Sequence, residues 1–469
     1  MPWSSGDSLS PSNLNRKSGV VFNVKEYGAD TLGVSDSASA ISQAINALNG
    51  PRASAHSEGG IVYLPPGQFR VDSPIVINRA GVILAGASPQ ATTIKPSATF
   101  AGEAVIIAGP STSPSFIRGL GIRDLGFDMS LASTTTTIVL ESVRDTTSID
   151  RVEIYNQLGC FVNIRRKAGK LMSQGISLYD CYFTTPSSLT KTGHGILCQE
   201  ANEISIYNTK VLSEFSDTAG YSGIVLRDDS QGARIVGSSV VNYENGILLD
   251  SSGTYQPGRK AYIAGNTLEN NTTGIYLCGA STTSTVMDCF LVGNRFQNSS
   301  SSTAICLVNA SGNAIYSMQE PSVAPAYVFS TGAQNNFMIK RWGQTDKTDV
   351  SGEVTNGNVV VGPILGTWHV AGGTSHHVAT ATVGDATPNI STGRLWRVAN
   401  TSNTTITNFD NAVDGQLVTL HFTNSNTTLQ SNASVALSTG ANFSATTDDT
   451  ITLQFSSNKW VELSRSVNA

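Results

Sequence analysis

From residue 120 onward the chain repeats a shape rather than a string of letters, with a period near 28 residues. Apolar residues lead to Asp or Asn, once Ser, and apolar residues follow. IRDLGF carries Asp124, SIDRVEI carries Asp150, SLYDCYF carries Asp180 and SIYNTKV carries Asn208. IVGSSVV, YIAGNTL and LVGNRFQ then carry Ser238, Asn266 and Asn294, so the steps are 26, 30, 28, 30, 28 and 28 residues. A second phrase runs out of phase with the first: GILCQ at Gly195, GIVLR at Gly223, GILLD at Gly246, GIYLC at Gly274 and AICLV at Ala304. Repeats of this length, made of short β segments and turn residues, mark a solenoid. One coil cannot bury its own apolar side chains, so stacked coils must share a continuous core. The expected fold is all-β, a parallel β-helix.

Composition agrees with that expectation and excludes several functions. Charged residues are 13% of 469, about half of the roughly 25% usual in globular proteins. Ser, Thr, Asn and Gly, which suit turns and solvated strand faces, take their place. A net charge of −5 leaves no basic footprint for nucleic acid. No apolar run approaches the roughly 20 residues of a membrane helix, so membrane insertion is not expected. The opening MPWSSGDSLSPSNLNRKSG lacks the apolar stretch of a secretory signal, so the chain is expected to be made in a cytoplasm and either to stay there or to leave by lysis. Six cysteines, Cys160, Cys181, Cys198, Cys278, Cys289 and Cys306, lie mostly inside apolar strand phrases. They lack CxxC or His spacings for zinc and read as buried thiols. No cofactor or metal is called for.

Residues 1–19 are polar and without periodicity. After Asp36, a helix N-cap, Ile41, Ala44, Ile45 and Leu48 recur at helical spacing until Gly50 and Pro51 stop them. One amphipathic helix ahead of a solenoid closes the open end of its core. GGIVYLPPGQFRVDSPIVINRAGVILAGASPQATTIKP then reads as short strands broken by Gly and Pro.

The run VFNVKEYGAD, the helix, GGIVYLPPGQFRVDSPIVI and GVILAGASPQATTIKP together resemble the opening of the pectate-lyase-like β-helix superfamily, which bacteriophage tailspikes and capsule depolymerases share. The match covers residues 21–96, and the coil repeats carry it to about 310. It implies a right-handed, single-stranded parallel β-helix that binds or cleaves carbohydrate. It supplies no catalytic residues, because the shared motif is structural. From about 310 to 365 the rhythm fades into closing turns such as EPSVAPAY and TDKTDVSGEVTNGN. From about 366, Val418, Leu420 and Phe422 alternate with polar residues, as do Ile451, Leu453 and Phe455, with TSNTT and TNSNTT between. That texture predicts an antiparallel β-sandwich or jelly-roll-like module, and it resembles the C-terminal modules of phage tail fibres. The expected organisation is therefore a virion-attachment peptide (1–19), a β-helix domain (20–345), a linker (346–365) and the terminal module (366–469). The resemblance further implies a tail component of a virion, made in the host cytoplasm. Its partners would be phage tail, baseplate or adaptor proteins bound through the N-terminus, with two further copies forming a parallel homotrimer. In a trimer the terminal modules can bury apolar faces against one another.

Side chains at equivalent positions of successive coils stack about 4.8 Å apart, so aligning the Gly-Ile phrases maps space. One place after the strand the column reads Gln199, Arg227, Asp250, Cys278, Val308, and the next reads Glu200, Asp228, Ser251, Gly279, Asn309. Glu200, Asp228, Asp229 and Asp250 should thus share one patch with Arg227, and His194 precedes the strand at its other end. Carboxylates one rung apart approach the roughly 5 Å of retaining glycosidases, and two rungs apart the roughly 6.5–9.5 Å of inverting ones. Crowding also raises one carboxyl pKa, which a general acid needs. The bland reading is that such residues cap turns or face water.

The Asp/Asn/Ser stack at 124 to 294 reads as architectural, because proton transfer would not tolerate Asn in place of Asp. For a lyase, His194, Tyr221, Lys191, Lys210 and Arg227 are the candidate bases and cations. An acidic cluster can alternatively hold Ca²⁺, and His376 and His377 read as a solvated pair. Tyr155, Tyr179, Tyr207 and Tyr243 either stack on sugars or form a ladder in the core. The candidate catalytic set is Glu200, Asp228, Asp229 and Asp250, with Arg227, His194, Tyr221 and Tyr207 binding substrate. The function these residues point to is hydrolysis of a bacterial surface polysaccharide. Non-enzymatic receptor binding and uronate-specific elimination are the alternatives.

Overall fold

The computed structural model describes residues 21–48, 59–111, 115–186, 190–214, 220–253, 255–297, 303–317, 327–340, 350–352, 358–364, 367–371, 378–381, 383–390 and 394–468. The attachment peptide, the Gly50–Pro51 stop, most of the closing turns and His376–His377 lie outside these residues. Two compact units emerge: Met1–Glu353 with Pro363–Leu365, and Val354–Gly362 with Gly366–Ala469.

The first unit is the parallel β-solenoid, of about 12 turns. One ladder of 11 strands runs from Ile75–Ile77 to Val350–Gly352, each strand paired with its counterpart one coil away. The Gly-Ile phrases form its middle. Ile196, Ile224, Ile247, Ile275 and Ile305 are in register, as are Cys198, Leu226, Leu249, Leu277 and Leu307. All ten are buried and point into the shared core. The glycine before each isoleucine is a matter of space. A Cβ on Gly223 would lie 2.1 Å from Val240 Cγ1, and one on Gly274 would lie 2.4 Å from Phe296 Cδ1. The other ladder, of 23 strands, carries the Asp/Asn phrases.

Register shows that the Asp/Asn/Ser stack expected from the letters is spread over three neighbouring columns, with Asp150 in the outward one beside Arg123 and Tyr179. Asp124, Arg151, Asp180, Asn208, Gly237, Gly265 and Gly293 share a turn position, with φ of 57°, 49°, 53°, 45°, 64°, 63° and 62°. Left-handed backbone favours Gly, Asn and Asp there. Arg151, the exception, bonds both Asp124 and Asp150. One place later, Thr209, Ser238, Asn266 and Asn294 point inward and are buried. Asn294 Oδ1 accepts from the Asn266 amide N–H (3.1 Å) and from Asn266 Nδ2 (2.9 Å). Asn266 Oδ1 accepts from the Ser238 N–H (2.9 Å), and Asn266 Nδ2 also donates to the Ile235 carbonyl (2.9 Å). Each asparagine therefore satisfies the backbone of a turn that would otherwise be buried without partners.

The helix forms at Ala38–Ala47 with Ile41, Ala44 and Ile45 buried. Asp36 accepts from the Ala38 N–H (3.1 Å) and, across the coil, from the Asp72 N–H (3.0 Å). Its C-terminal carbonyls are held by Arg79, which is 5% exposed and donates to the carbonyls of Ile45, Asn46 and Leu48. No helix among the described residues is long and apolar enough to cross a membrane. Burial pushes the thiols of Cys160, Cys181 and Cys289 up to about 12.

The second unit packs Trp396, Phe422, Leu429, Phe443, Ile451 and Trp460 into its own core. Its sheets are mixed where an antiparallel sandwich was expected. The final hairpin, Thr450–Ser456 with Lys459–Ser466, is antiparallel. Leu395–Val398 pairs in parallel with Leu417–Phe422, and Thr404–Ile406 with Thr427–Leu429. The reason is a short internal repeat, NTTI at 403–406 and NTTL at 426–429, which returns the chain in the same direction 23 residues on, Thr404 beside Thr427.

Replacing Asn266 by Ala would orphan the Ser238 N–H and the Ile235 carbonyl inside the solenoid. At about 1–3 kcal/mol for each buried group left unpaired, unfolding in urea should show a stability loss of about 2–4 kcal/mol. A loss below about 0.5 kcal/mol would refute the supporting role of this ladder.

Candidate functional site

The outward side of the 11-strand ladder holds the acidic patch. Glu141, Arg165, Gln199, Arg227 and Asp250 stand in one column on successive coils. No two like charges are neighbours along it: each acid stands beside an arginine, and the neutral Gln199 separates the two arginines, which suits residues stacked about 4.8 Å apart. Arg165 meets Glu141 (2.6 Å) and Glu103 (2.5 Å), and Lys167 meets Glu141 (3.3 Å). Arg227 clamps Asp250 with two bonds, Nε to Oδ1 at 2.7 Å and Nη2 to Oδ2 at 2.5 Å. This bond to Asp250 holds the Arg227 guanidinium above its ordinary pKa.

One place further, where strand becomes turn, lie Glu200, Asp228 and Asp229, with φ of 50°, 48° and 56°. Glu200 pairs with Arg166 (3.1 Å), and Asp229 with Arg259 (3.4 Å). Asp228 is 0% exposed. Its Oδ2 accepts from Gln199 Nε2 (2.8 Å), and its Oδ1 from the Ser252 N–H (2.7 Å) and Ser251 Oγ (3.3 Å). All four expected carboxylates thus sit at the ends of three adjacent coils. Their environments divide them: Asp228 is a buried turn clamp and Asp250 is locked to arginine, while Glu200 and Asp229 stay partly accessible.

His194 and Tyr221 lie at the opposite ends of the same strands. Their rings meet edge-on, 5.6 Å between centroids and 79° between planes. His194 Nδ1 accepts the Ser222 N–H at 3.0 Å, so in the neutral ring the proton resides on Nε2 and points away. Burial first, and the Arg227 charge second, bring its pKa down to about 4. His194 is therefore a neutral hydrogen-bond donor at pH 7 rather than a base. Between the two ends the outward floor is apolar: Val225 and Leu248 are buried, and Tyr276 beside Leu248 is half-buried. Burial also raises the Tyr276 phenol above its ordinary pKa.

Tyr207 stands apart from this surface. It belongs to the other ladder, where its ring stacks on Tyr179 at 5.4 Å and 5°. Among the other expected groups, Lys191 is 2% exposed. Its Nζ donates to Ser213 Oγ (3.1 Å) and the Asn242 carbonyl (3.0 Å) and lies 4.9 Å from the centre of the Tyr243 ring. Tyr243 itself is a core residue. Lys210 lies over Tyr182 in the other ladder. The sequence reading missed Arg166 and Arg259, the cations that meet the acids. Extending the coil alignment one rung N-terminally brings in IRRK and would have found the first of them. Among the described residues no group of three His, Cys, Asp or Glu side chains is placed to hold a metal ion.

A family model described as rhamnogalacturonase A/epimerase, pectate lyase-like, matches residues 21–305. The mannuronan C5-epimerase AlgE6 of Azotobacter vinelandii is 39% identical over 122 residues, 24% of this chain. The chain spans only 13% of the length of that curated relative. Among solved structures, the pre-mature bacteriophage phi29 gene product 12 gives a TM-score of 0.50 at 14% identity, covering 82% of this chain and 63% of that one. The A-module of the Azotobacter vinelandii mannuronan C-5 epimerase AlgE4 gives 0.46 at 16% identity, covering 81% and 94%. At these identities the likeness to solved structures is one of fold.

Two measurements follow from this geometry. Asp228→Asn places an amide N–H₂ among donors, so the midpoint of unfolding should fall by the equivalent of about 1–3 kcal/mol. Glu200→Gln, at a partly exposed ion pair, should cost under about 1 kcal/mol. Equal losses would contradict the division drawn between them. Because the His194 pKa is lowered to about 4 from 6.5, the unfolded chain binds the extra proton between those values. The His194 contribution to stability is therefore complete above about pH 6.5, falls as pH drops toward 4, and stays lost below that. An imidazole NMR titration with a midpoint near 6.5 would remove this assignment.

Proposed function

The chain belongs to the rhamnogalacturonase A/epimerase, pectate-lyase-like family, and from that premise we propose that it is a phage tail-spike-like protein that binds and cleaves a bacterial surface polysaccharide by glycoside hydrolysis. The observation that carries the reading is the outward face of three consecutive coils, which combines carboxylates, a clamped arginine, a neutral histidine and a tyrosine with an apolar floor. Such a surface suits a sugar chain, with hydroxyls toward the polar ends and ring faces over Leu197 and Tyr276, the accessible members of the apolar row. Family membership supports carbohydrate as the ligand. The fold shared with a phage protein supports a virion setting, with attachment through residues 1–19 and assembly as a homotrimer.

In this mechanism Glu200 and Asp229, on adjacent coils, are the reacting pair. The retaining arrangement, whose carboxyls stand roughly 5 Å apart, is the one proposed for them once sugar displaces the ion pairs that draw Glu200 to Arg166 and Asp229 to Arg259. One carboxyl delivers a proton to the leaving oxygen, and the other attacks the anomeric carbon and is later displaced by water. Asp250 holds Arg227 in place toward the substrate, and Asp228 fixes the turn that carries Asp229. His194 Nε2–H and the Tyr221 hydroxyl bind sugar oxygens at the far end. Elimination from a uronate is the weaker reading, because the His194 lone pair at Nδ1 is already taken by the Ser222 N–H. Binding without cleavage is favoured by one observation: each of the four carboxylates already has a cation or several donors as partners.

Glu200→Gln decides between the two. With cleavage, release of reducing ends from host capsule or O-chain polysaccharide should drop about 10²–10⁴-fold while retention on immobilised polysaccharide persists. Wild-type protein that retains the polysaccharide but releases no reducing ends would leave the binding reading in place. Full turnover in Glu200→Gln and Asp229→Asn alike would move the reaction away from this face.

A further inference from the structure

Outward positions on a solvated strand face are ordinarily polar. On the 23-strand ladder two neighbouring columns depart from this, although Arg234, Lys210 and Arg295 stand outward elsewhere on it. Tyr179, Tyr207, Val236, Ala264, Val292 and Tyr316 form one outward column over six consecutive coils, and Ile339 extends it. In the outward column beside it stand Tyr262, Phe290 and, two coils on, Phe337. Tyr262, Phe290, Tyr316 and Phe337 are 40%, 38%, 36% and 37% exposed. Their rings meet in sequence with centroids 5.7, 5.4 and 6.2 Å apart.

We infer that this aromatic strip is the face through which copies of the chain pack side by side, solenoid against solenoid. Size supports it. At 150–250 Å² per aromatic side chain, the four rings alone expose roughly 300 Å², and the column runs about 29 Å at about 4.8 Å per coil. Patches of that size on a soluble protein mark interaction surfaces. The strip supplies the apolar centre of an interface whose standard size is about 800 Å² per partner, and polar flanks supply the rest.

Ring geometry selects the occupant. Tyr262 and Phe290 lie nearly parallel, 15° apart, and so do Tyr179 and Tyr207. Tyr316 tilts 58° from Phe290 and 62° from Phe337, so the strip is a row of rings stacked and tilted against one another rather than a flat open ring face. A sugar stacks on open faces, whereas such a row and the methyl groups of Val236 and Val292 suit another apolar protein surface. A second copy carries the same columns at the same coil spacing, so its side chains can interdigitate rung for rung. This inference deepens the proposed homo-oligomeric assembly and rests on it, but it is independent of the glycan chemistry on the other ladder.

Sedimentation velocity of the full chain tests it, comparing wild type with Phe290→Lys/Tyr316→Lys. Leu171→Lys, at a residue 44% exposed outside the strip, is the control, and Tyr316→Phe is the conservative variant. Wild type, control and Tyr316→Phe should all be assembled at micromolar concentration. The double variant should sediment as the 49.3 kDa monomer, its dissociation constant raised at least a hundredfold, with an unchanged circular dichroism spectrum. Three results would overturn the inference. A monomeric wild type removes the assembly itself. A double variant that assembles like wild type leaves assembly standing but moves its face elsewhere. Loss of polysaccharide retention with assembly intact reassigns the strip to glycan.

Discussion

The parallel register between successive coils governs everything else in the solenoid. Each coil places its residues about 4.8 Å above their counterparts, so every choice of side chain is made against a near-copy of itself. Apolar columns profit from this, because Ile stacks on Ile over five coils and Leu on Leu over four in the middle of the ladder. Charge columns suffer where like charges are neighbours, and the outward column from Glu141 to Asp250 avoids this by pairing each acid with an arginine and setting Gln199 between the two arginines. Buried polar columns survive only if each member donates to one neighbour and accepts from the other. Asparagine meets that demand, which is why Ser238 gives way to Asn266 and Asn294 along the column.

This constraint explains how much of the molecule was legible in the sequence. A period near 28 fixes the fold because no other arrangement buries GIVLR and GILLD on one side. It does not fix register to a single residue. By letters, Asn266 aligned with Asp124, whereas in space it follows Gly265 and lies one column inward. The letters D, N and G mark two demands that sit side by side, a left-handed turn and a buried donor. Asp and Asn serve the first, Asn serves both, and a stack read from composition cannot separate them. In the terminal unit the alternation of Val418, Leu420 and Phe422 was read correctly as strand. Strand direction depended on the NTTI/NTTL repeat, too short to stand out among so many Ser, Thr and Asn residues.

The candidate site was legible to the same extent. Aligning the Gly-Ile phrases brought Glu200, Arg227, Asp228 and Asp250 together, because this face is regular and register carries over from coil to coil. Partners were harder to see. Arg166 and Arg259 reach the acids from turns, whose paths do not follow the strand repeat. The fate of Asp228 turned on burial, set by Gln199 on one coil and Ser251 and Ser252 on the next. Tyr207 was placed with the substrate from its proximity in sequence to a turn, but the turn separates the two ladders.

The two ladders therefore divide the outside of the solenoid by chemistry. One face carries charge and a clamped arginine, with apolar side chains between polar ends, and the proposed sugar site rests on it. The other carries a strip of valines and aromatic rings over more than six coils, beside columns that hold Arg234, Lys210 and Arg295. Both patterns come from the same rule, since the outward residue is free of the core and is repeated only where an external partner repeats as well. A polysaccharide repeats its sugars and a second copy repeats its coils, so a solenoid can read either one. The polar column from Glu141 to Asp250 spans five coils and the apolar column from Tyr179 to Ile339 seven, so the same stacking rule sustains either chemistry wherever the outward residue is free of the core.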